Sequence, residues 1–159
     1  MRAKTAQIQI VAAKDSLDFF DSQSADVHRE YSPLDVYARI SADMKDRMGW
    51  AFKIRDALSA PFGVRRIGGF SGQVPNHVQP GDRLDFFRVE ASRDTMLVLT
   101  ERDRHLDVMT CISCQGTMVT ITSSVVTHNA FGRVYMMLVG PAHRMIVKGQ
   151  IKRLARNAG

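Results

Sequence analysis

The chain has 159 residues, and this length predicts a single domain over residues 1–159. Apolar residues make up 45% and charged residues 24%, which are ordinary globular values and exclude disorder as the overall state. The net charge is +6, and the whole excess lies after residue 129, where basic residues occur without any acidic one. This uneven placement argues against a basic globular body of the histone kind.

Two features indicate the compartment. Two cysteines are too few for a disulfide scaffold at this length. The first 15 residues contain no apolar core long enough for a signal peptide, and the longest apolar run, near Val134–Val139, is far shorter than the roughly 20 residues that span a bilayer. We therefore expect a soluble cytoplasmic protein with reduced thiols and no transmembrane segment.

The N-terminal part predicts a strand followed by two short helices. Residues 7–11 alternate polar and apolar side chains, which is a strand signal, whereas residues 15–27 are ambiguous between a strand and an edge segment. Ser32-Pro33-Leu34-Asp35 is a helix-start signature. Helical spacing follows until Gly49 interrupts it, and a second helix is expected over Trp50–Ser59.

The following part predicts antiparallel sheet. Residues 68–82 form a loop rich in glycine and proline. Residues 83–129 then predict consecutive strands, the first over Arg83–Glu90, with a hairpin turn at residues 101–104 and another at Gln115-Gly116. Because the strands follow one another directly, a meander is the economical topology.

The C-terminal part predicts one long amphipathic helix. Its apolar stripe is Phe131, Val134, Tyr135, Leu138, Ala142, Met145 and Gly149. Gly140-Pro141 lies inside it, and we expect a kink or a break there because proline removes a backbone donor. The fold class is α+β, and a helix of this length must lie across the sheet to bury its stripe.

Three sequence stretches carry a resemblance to known proteins. They are Asp103–Asp107, then Val126–Asn129 with Gly132, Arg133 and Tyr135, and finally Pro141–Arg144 with Ile146 and Val147. Together they resemble a bacterial family catalogued as a domain of unknown function, which some members carry behind a short-chain-dehydrogenase-like NAD(P)-binding domain. This chain contains no GxGxxG motif, so we expect no dinucleotide cofactor.

The element order also resembles the helix-grip superfamily of START and polyketide-cyclase-like proteins. That resemblance implies a curved antiparallel sheet wrapped around the long C-terminal helix. It also implies an apolar ligand in a cavity between the sheet and that helix.

Cys111 and Cys114 have the spacing of a CxxC motif. Residues three apart on a continuous strand point to opposite faces, and no second cysteine pair is present. We therefore interpret them as structural thiols and expect neither a metal site nor a redox pair.

A polar cluster is predicted at one end of the sheet. His105 and Asp107 lie two apart on a strand and hence on one face, where the carboxylate could orient the imidazole. Pairing about the Gln115-Gly116 turn brings His105 opposite Val126 and close to His128. The favoured interpretation is a structural network that fixes the sheet to the helix. The alternative is the general base of a cyclase- or isomerase-like enzyme.

The first functional hypothesis is a binding module for an apolar small molecule. Its candidate ligand contacts are Trp50, Phe87, His105, Asp107, His128 and Tyr135. The sequence contains no nucleophile elbow, P-loop or HExxH motif, so it does not indicate an enzyme.

A row of cations gives a further hypothesis. Arg144, Lys148, Lys152 and Arg156 are spaced by four and share one helix face. The favoured interpretation is a solvated face that complements the helix dipole. The alternative is an interaction module that presents this face to an anionic membrane surface or an acidic protein. Nucleic acid is disfavoured because no aromatic platform adjoins the row.

Overall fold

The computed structural model describes residues 7–63 and 68–157 and has the predicted α+β class. An open six-stranded antiparallel sheet carries two long helices. In chain order the elements are β1 (Phe19–Asp26), α1 (Pro33–Ser59), β2 (Arg83–Leu84), β3 (Phe87–Arg93), β4 (Met96–Arg102), β5 (Leu106–Gln115), β6 (Met118–Thr127) and α2 (Ala130–Asn157). Short 3₁₀ turns occupy Lys14–Ser16 and Ala60–Phe62. Within the described ranges, neither helix is long and apolar enough to cross a membrane.

The sheet is a meander of β2 to β6, and β1 is added at its edge beside β6. Its order is β1-β6-β5-β4-β3-β2, so β2 to β6 follow the predicted meander and β1 pairs with β6. The ambiguous segment before residue 27 is therefore an edge strand. Hydroxyl pairs support this pairing: Ser22 and Thr122 lie 2.8 Å apart, and Ser24 and Thr120 lie 2.7 Å apart.

Two strand predictions are wrong. Residues 7–11 form no strand; they lie across the outer face of the sheet, where the Val11 amide donates to Ser124 Oγ at 2.9 Å. Arg83–Glu90 is not one strand either, because the chain turns between β2 and β3 at Asp85, whose φ is 55°. Alternating polarity alone does not distinguish a paired strand from an extended segment that packs on a sheet face.

Helix α1 is continuous, so the prediction of two short helices is wrong. It begins with a capping box, in which the Asp35 amide donates to Ser32 Oγ at 3.1 Å and the Ser32 amide donates to the Asp35 carboxylate at 3.4 Å. It then runs 27 residues through Gly49. A glycine in a helix interior costs only about 1 kcal/mol, which burial of the apolar side chains of Val36, Tyr37 and Met44 on the same helix offsets.

Helix α2 also runs without a break, for 28 residues with Pro141 inside. The residue whose carbonyl loses a donor is Met137, and both residues lie on the exposed side of the helix. Because water can bind that carbonyl oxygen, the proline is tolerated there and the predicted break does not occur.

The buried face of α2 differs from the predicted stripe. Val134, Leu138, Ala142 and Met145 of that stripe are exposed. The side chains against the sheet are those of Met136, Val139, His143, Val147, Gln150 and Leu154. Two buried glycines select this orientation, since a Cβ at Gly132 would clash with the His105 carbonyl oxygen and one at Gly140 would lie 3.0 Å from the Phe19 ring.

The two helices cover different parts of one sheet face. Helix α1 packs on β4 and β5, and α2 packs on β1 and β6. The main core lies beneath them, with Leu99, Ile112 and Ile121 from the sheet and Leu154 from α2. A smaller cluster that includes Met96 and Cys111 lies on the other sheet face, under Val11.

The continuity of α1 predicts the effect of Gly49→Ala. A Cβ at Gly49 meets nothing within 4 Å, so alanine should raise the free energy of unfolding by about 0.5–1 kcal/mol through a better helix propensity. Urea unfolding measures this. The control is Gly63→Ala, which should lower stability by about 1 kcal/mol or more because Gly63 has a φ of 67° and lies against Arg104. No gain at Gly49 would contradict a continuous helix.

Candidate ligand cavity

A cavity of about 300 Å³ lies between the sheet and the two helices. Its floor is made by alternate residues of the central strands, such as Leu106, Val108, Thr110 and Ile112 of β5, because every second side chain of a strand points to the same face. Residues of α1 and α2 form the roof. The walls are mostly apolar, and the volume is at the lower end of the range for small-molecule pockets.

Aromatic rings close one side of the cavity. Phe52 of α1 lies 5.4 Å from Phe70, and Phe70 lies 5.3 Å from Phe86, measured between ring centroids. Phe86 is 4.3 Å from Phe87, which also lines the cavity. Edge-on and tilted rings of this kind form a stiff apolar wall.

A tyrosine–aspartate pair fixes this wall to α1. The Tyr37 hydroxyl donates to Asp85 Oδ2 at 2.5 Å, and Tyr37 also lines the cavity. Burial, together with the neighbouring carboxylate, holds the pKa of Tyr37 well above its ordinary value, so the phenol stays protonated. The Ser71 amide donates to the other Asp85 oxygen at 2.9 Å, so the carboxylate joins α1 to the loop before β2.

An arginine–tyrosine pair lies at another part of the wall. Arg55 Nε donates to the Tyr135 hydroxyl at 3.0 Å, and Arg55 Nη1 donates to Asp56 Oδ1 at 2.8 Å. Arg55 and Tyr135 both line the cavity, together with the carboxylate residues Glu101 and Asp103. The tyrosine oxygen is used as an acceptor, so its own O–H remains a donor.

His143 brings an ionisable group to the roof. It lines the cavity and meets the Phe19 ring edge-on, with centroids 5.8 Å apart. Its Nδ1 is buried and has no hydrogen-bond partner among the described residues. Burial, assisted by the nearby Arg144 and opposed by Asp21, lowers the pKa of this imidazole and favours its neutral form.

The cavity reaches the surface beside α2. Of the lining residues, Ala142 is exposed, whereas the others are buried or partly buried. Ala142 lies seven residues after Tyr135, which contacts Arg55 of α1, so the opening lies on the side of α2 that borders α1.

The candidate contacts from the sequence divide into two groups. Phe87 and Tyr135 line the cavity. Trp50 is 65% exposed, and His105, Asp107 and His128 are held in polar contacts outside the lining.

His105 anchors the start of α2. Asn129 Nδ2 lies 2.9 Å from His105 Nδ1, and Asn129 Oδ1 accepts from the Gly132 amide at 2.9 Å. His105 Nε2 lies 3.2 Å from the Phe62 carbonyl oxygen and 3.2 Å from Arg104 Nε. Both ring nitrogens are therefore engaged, as the favoured interpretation of a structural link between sheet and helix expects.

Asp107 pairs with His128 and not with His105. Its carboxylate lies 3.1 Å from His128 Nε2 and 2.9 Å from Arg102 Nη1. The predicted register was displaced by two residues, since Leu106 lies opposite Thr127. The hypothetical acid–base pair of His105 with Asp107 is therefore not formed.

The two cysteines lie on opposite faces of β5, as predicted. Cys111 packs in the cluster under Val11, and Cys114 belongs to the main core. Burial raises the pKa of both thiols, that of Cys114 to about 11, which makes them poor nucleophiles.

Comparison with known proteins places the chain in a family. A family model described as "Protein of unknown function (DUF2867)" matches residues 13–150. The chain belongs to this family. The resemblance to a domain of unknown function is confirmed at that level. No curated protein matches the chain.

One solved structure is similar to this DUF2867 member. It is a hypothetical protein from Helicobacter pylori, 15% identical, with a TM-score of 0.42. The match covers 99% of this chain and 100% of that one.

Sequence reasoning missed several polar residues of the cavity in this DUF2867 member. Arg55, His143 and Gln150 line it. The available signal was a polar residue within an apolar helical stripe: His143 and Gln150 are seven apart, on the same side of α2 as Val139 and Val147. The stripe predicted for α2 lies on the adjacent side of the helix and therefore omits both residues.

The buried His143 predicts a pH dependence of stability. Because its pKa is lower in the folded chain, the unfolded chain binds the proton more readily. The contribution of the neutral His143 imidazole to the free energy of unfolding is complete above a pH of about 6.5. It is lost as the pH falls below that value. Urea midpoints at neutral and mildly acidic pH should show a smaller decline in His143→Phe than in the wild type. His77→Phe, at an exposed position, is the control, and equal declines in both variants would contradict the assignment.

Proposed function

We propose that the chain is a single helix-grip domain that binds an apolar small molecule carrying one oxygen acceptor. The observation that carries this proposal is the cavity of about 300 Å³ with mostly apolar walls. Binding of an apolar ligand in such a cavity is favourable by roughly 25 cal/mol for each Å² of apolar surface removed from water. A few polar groups then fix the orientation of the ligand.

The Arg55–Tyr135 pair is the reason to expect an oxygen acceptor on the ligand. Because Arg55 Nε holds the Tyr135 oxygen at 3.0 Å, the phenol is oriented, and its O–H has no acceptor among the described residues. A ligand carbonyl or ether oxygen would accept this hydrogen bond. The net contribution of such a bond is about 1 kcal/mol.

The charges on the same wall favour a neutral ligand. Glu101 and Asp103 also line the cavity; Glu101 lies 3.7 Å from Arg83, and Arg55 is bonded to Asp56. Because these arginines already have carboxylate partners, a ligand carboxylate would have to compete with Glu101 or Asp56 for them. We therefore infer an uncharged ketone, ester or ether on a hydrocarbon body.

The enzyme hypothesis has less support. Its proposed base, His105, has both nitrogens engaged by Asn129 and the Phe62 carbonyl oxygen. Asp107 is engaged by Arg102 and His128. We therefore favour binding.

A matched pair of probes tests the polar contact. 2-Acetylnaphthalene carries a carbonyl acceptor, and 2-ethylnaphthalene has nearly the same shape without one. Tyr135→Phe should weaken binding of the ketone by about fivefold to tenfold, since one hydrogen bond of about 1 kcal/mol is lost. The affinity for the hydrocarbon should be unchanged. Isothermal titration calorimetry measures both affinities. An equal loss for both probes would contradict the hydrogen bond.

A cavity-filling variant tests the site itself. Thr110→Phe places a ring on the cavity floor and should abolish binding of both probes. Thr95→Phe places the same ring on an exposed turn and is the control. Native mass spectrometry of the protein from its own cells should show a bound neutral molecule in the wild type. The proposal fails if Thr110→Phe binds the probes as tightly as the wild type.

A further inference from the structure

Helix α1 and the turn after it carry an apolar stripe that the described chain leaves largely exposed. Trp50, Ile54, Leu58 and Phe62 are each more than half exposed. They are spaced by four and therefore form one line along the helix and the turn after it. Contiguous exposed apolar patches mark interaction sites, whereas single scattered apolar side chains are normal on a protein surface.

Helix α2 carries a second apolar stripe beside the first. Val134, Met137, Leu138 and Met145 are also more than half exposed and share the outward side of the helix. The helices run antiparallel: Arg55 meets Tyr135 at 3.0 Å, and Phe62 stacks on Phe131 at 4.9 Å. The two stripes therefore lie at the same end of the helix pair and form one apolar surface.

Cations continue the same side of α2 toward its C-terminus. Lys148, Lys152 and Arg156 follow Met145 at steps of three and four residues and are exposed. Arg144 lies 3.8 Å from Asp21, and Arg153 lies 3.3 Å from Asp43. Among the residues that the structure describes, no carboxylate pairs with the other three, so their charge is uncompensated.

We propose that this combined surface docks on an anionic lipid bilayer. The exposed side chains of both stripes would enter the interface, and the three cations would lie at the anionic headgroups. Amphipathic surfaces bind bilayers through these two contributions together. A second copy of the chain fits less well, because it would bring the same uncompensated cations to the surface. This proposal goes beyond the cavity ligand and uses different residues.

The surface also contains the opening of the cavity. Ala142, the exposed lining residue, lies on α2 between Leu138 and Met145. Docking would place this opening against the bilayer, where an apolar ligand can pass without crossing water. This consequence rests on the proposed cavity function, whereas docking itself does not.

The single tryptophan reports docking directly. Trp50 is the one tryptophan of the chain and lies in the α1 stripe. Phosphatidylcholine vesicles containing phosphatidylglycerol should bind the full chain, shift the Trp50 emission to the blue and allow quenching by brominated lipids. Vesicles of phosphatidylcholine alone should bind at least about tenfold more weakly.

Charge variants distinguish binding through this surface from a general effect of the net charge of the protein. Lys148→Glu with Lys152→Glu should weaken binding to the anionic vesicles by at least about tenfold. Arg88→Glu with Arg93→Glu changes the net charge equally at exposed positions on β3 and should weaken binding much less. Leu58→Ser with Leu138→Ser should remove the blue shift. Circular dichroism checks that each variant is folded.

Three results of the vesicle experiments would overturn the proposal. They are equal binding to neutral and anionic vesicles, an equal loss in both charge variants, and the absence of vesicle binding. A dimer in light scattering that Leu58→Ser with Leu138→Ser dissociates would also overturn it, in favour of a second copy.

A last comparison keeps the two proposals apart. Thr110→Phe should still dock while failing to bind 2-acetylnaphthalene. Docking without ketone binding by the wild type would refute the cavity function alone. Ketone binding without docking would refute the membrane proposal alone.

Discussion

The structure depends on one constraint: two helices must cover one face of a six-stranded sheet. Six strands about 4.8 Å apart span roughly 24 Å. Two helices of about 10 Å diameter cover roughly 20 Å, and here they lie toward different strands, α1 on β4 and β5 and α2 on β1 and β6. The space left between them is the cavity, whose walls come from all three elements.

Fixed contacts along α2 keep this space from closing. At its start, Gly132 lies against the His105 carbonyl oxygen, and further along Gly140 lies against the Phe19 ring. Arg144 donates to the Phe20 carbonyl oxygen at 3.2 Å, and Arg153 contacts Asp43 of α1 at 3.3 Å. Helix α2 is thus held at several levels by backbone contacts and ion pairs, in addition to the packing of Leu154 in the main core.

The sequence predicted the features that depend on local chemistry. The Ser32 cap, the β4–β5 turn and the opposite faces of the two cysteines follow from neighbouring residues alone. The errors concern choices that tertiary contacts make. Gly49 and Pro141 suggested breaks that do not occur, and α2 has two apolar stripes, of which the glycine contacts select the less obvious one. That choice removed His143 and Gln150 from the predicted site.

The pairing of β1 with β6 bears on how the chain acquires its fold. Ser22 and Thr122 meet across 100 positions of sequence, whereas β3 to β6 are joined by short turns. Closing so long a loop costs entropy before any contact compensates for it, so we expect the hairpins to form before β1 docks. Until then β6 is an open edge with unpaired amides and carbonyls. During synthesis on the ribosome, β1 emerges long before β6 exists. The period before these two strands pair is the stage at which we expect the chain to be most prone to aggregation.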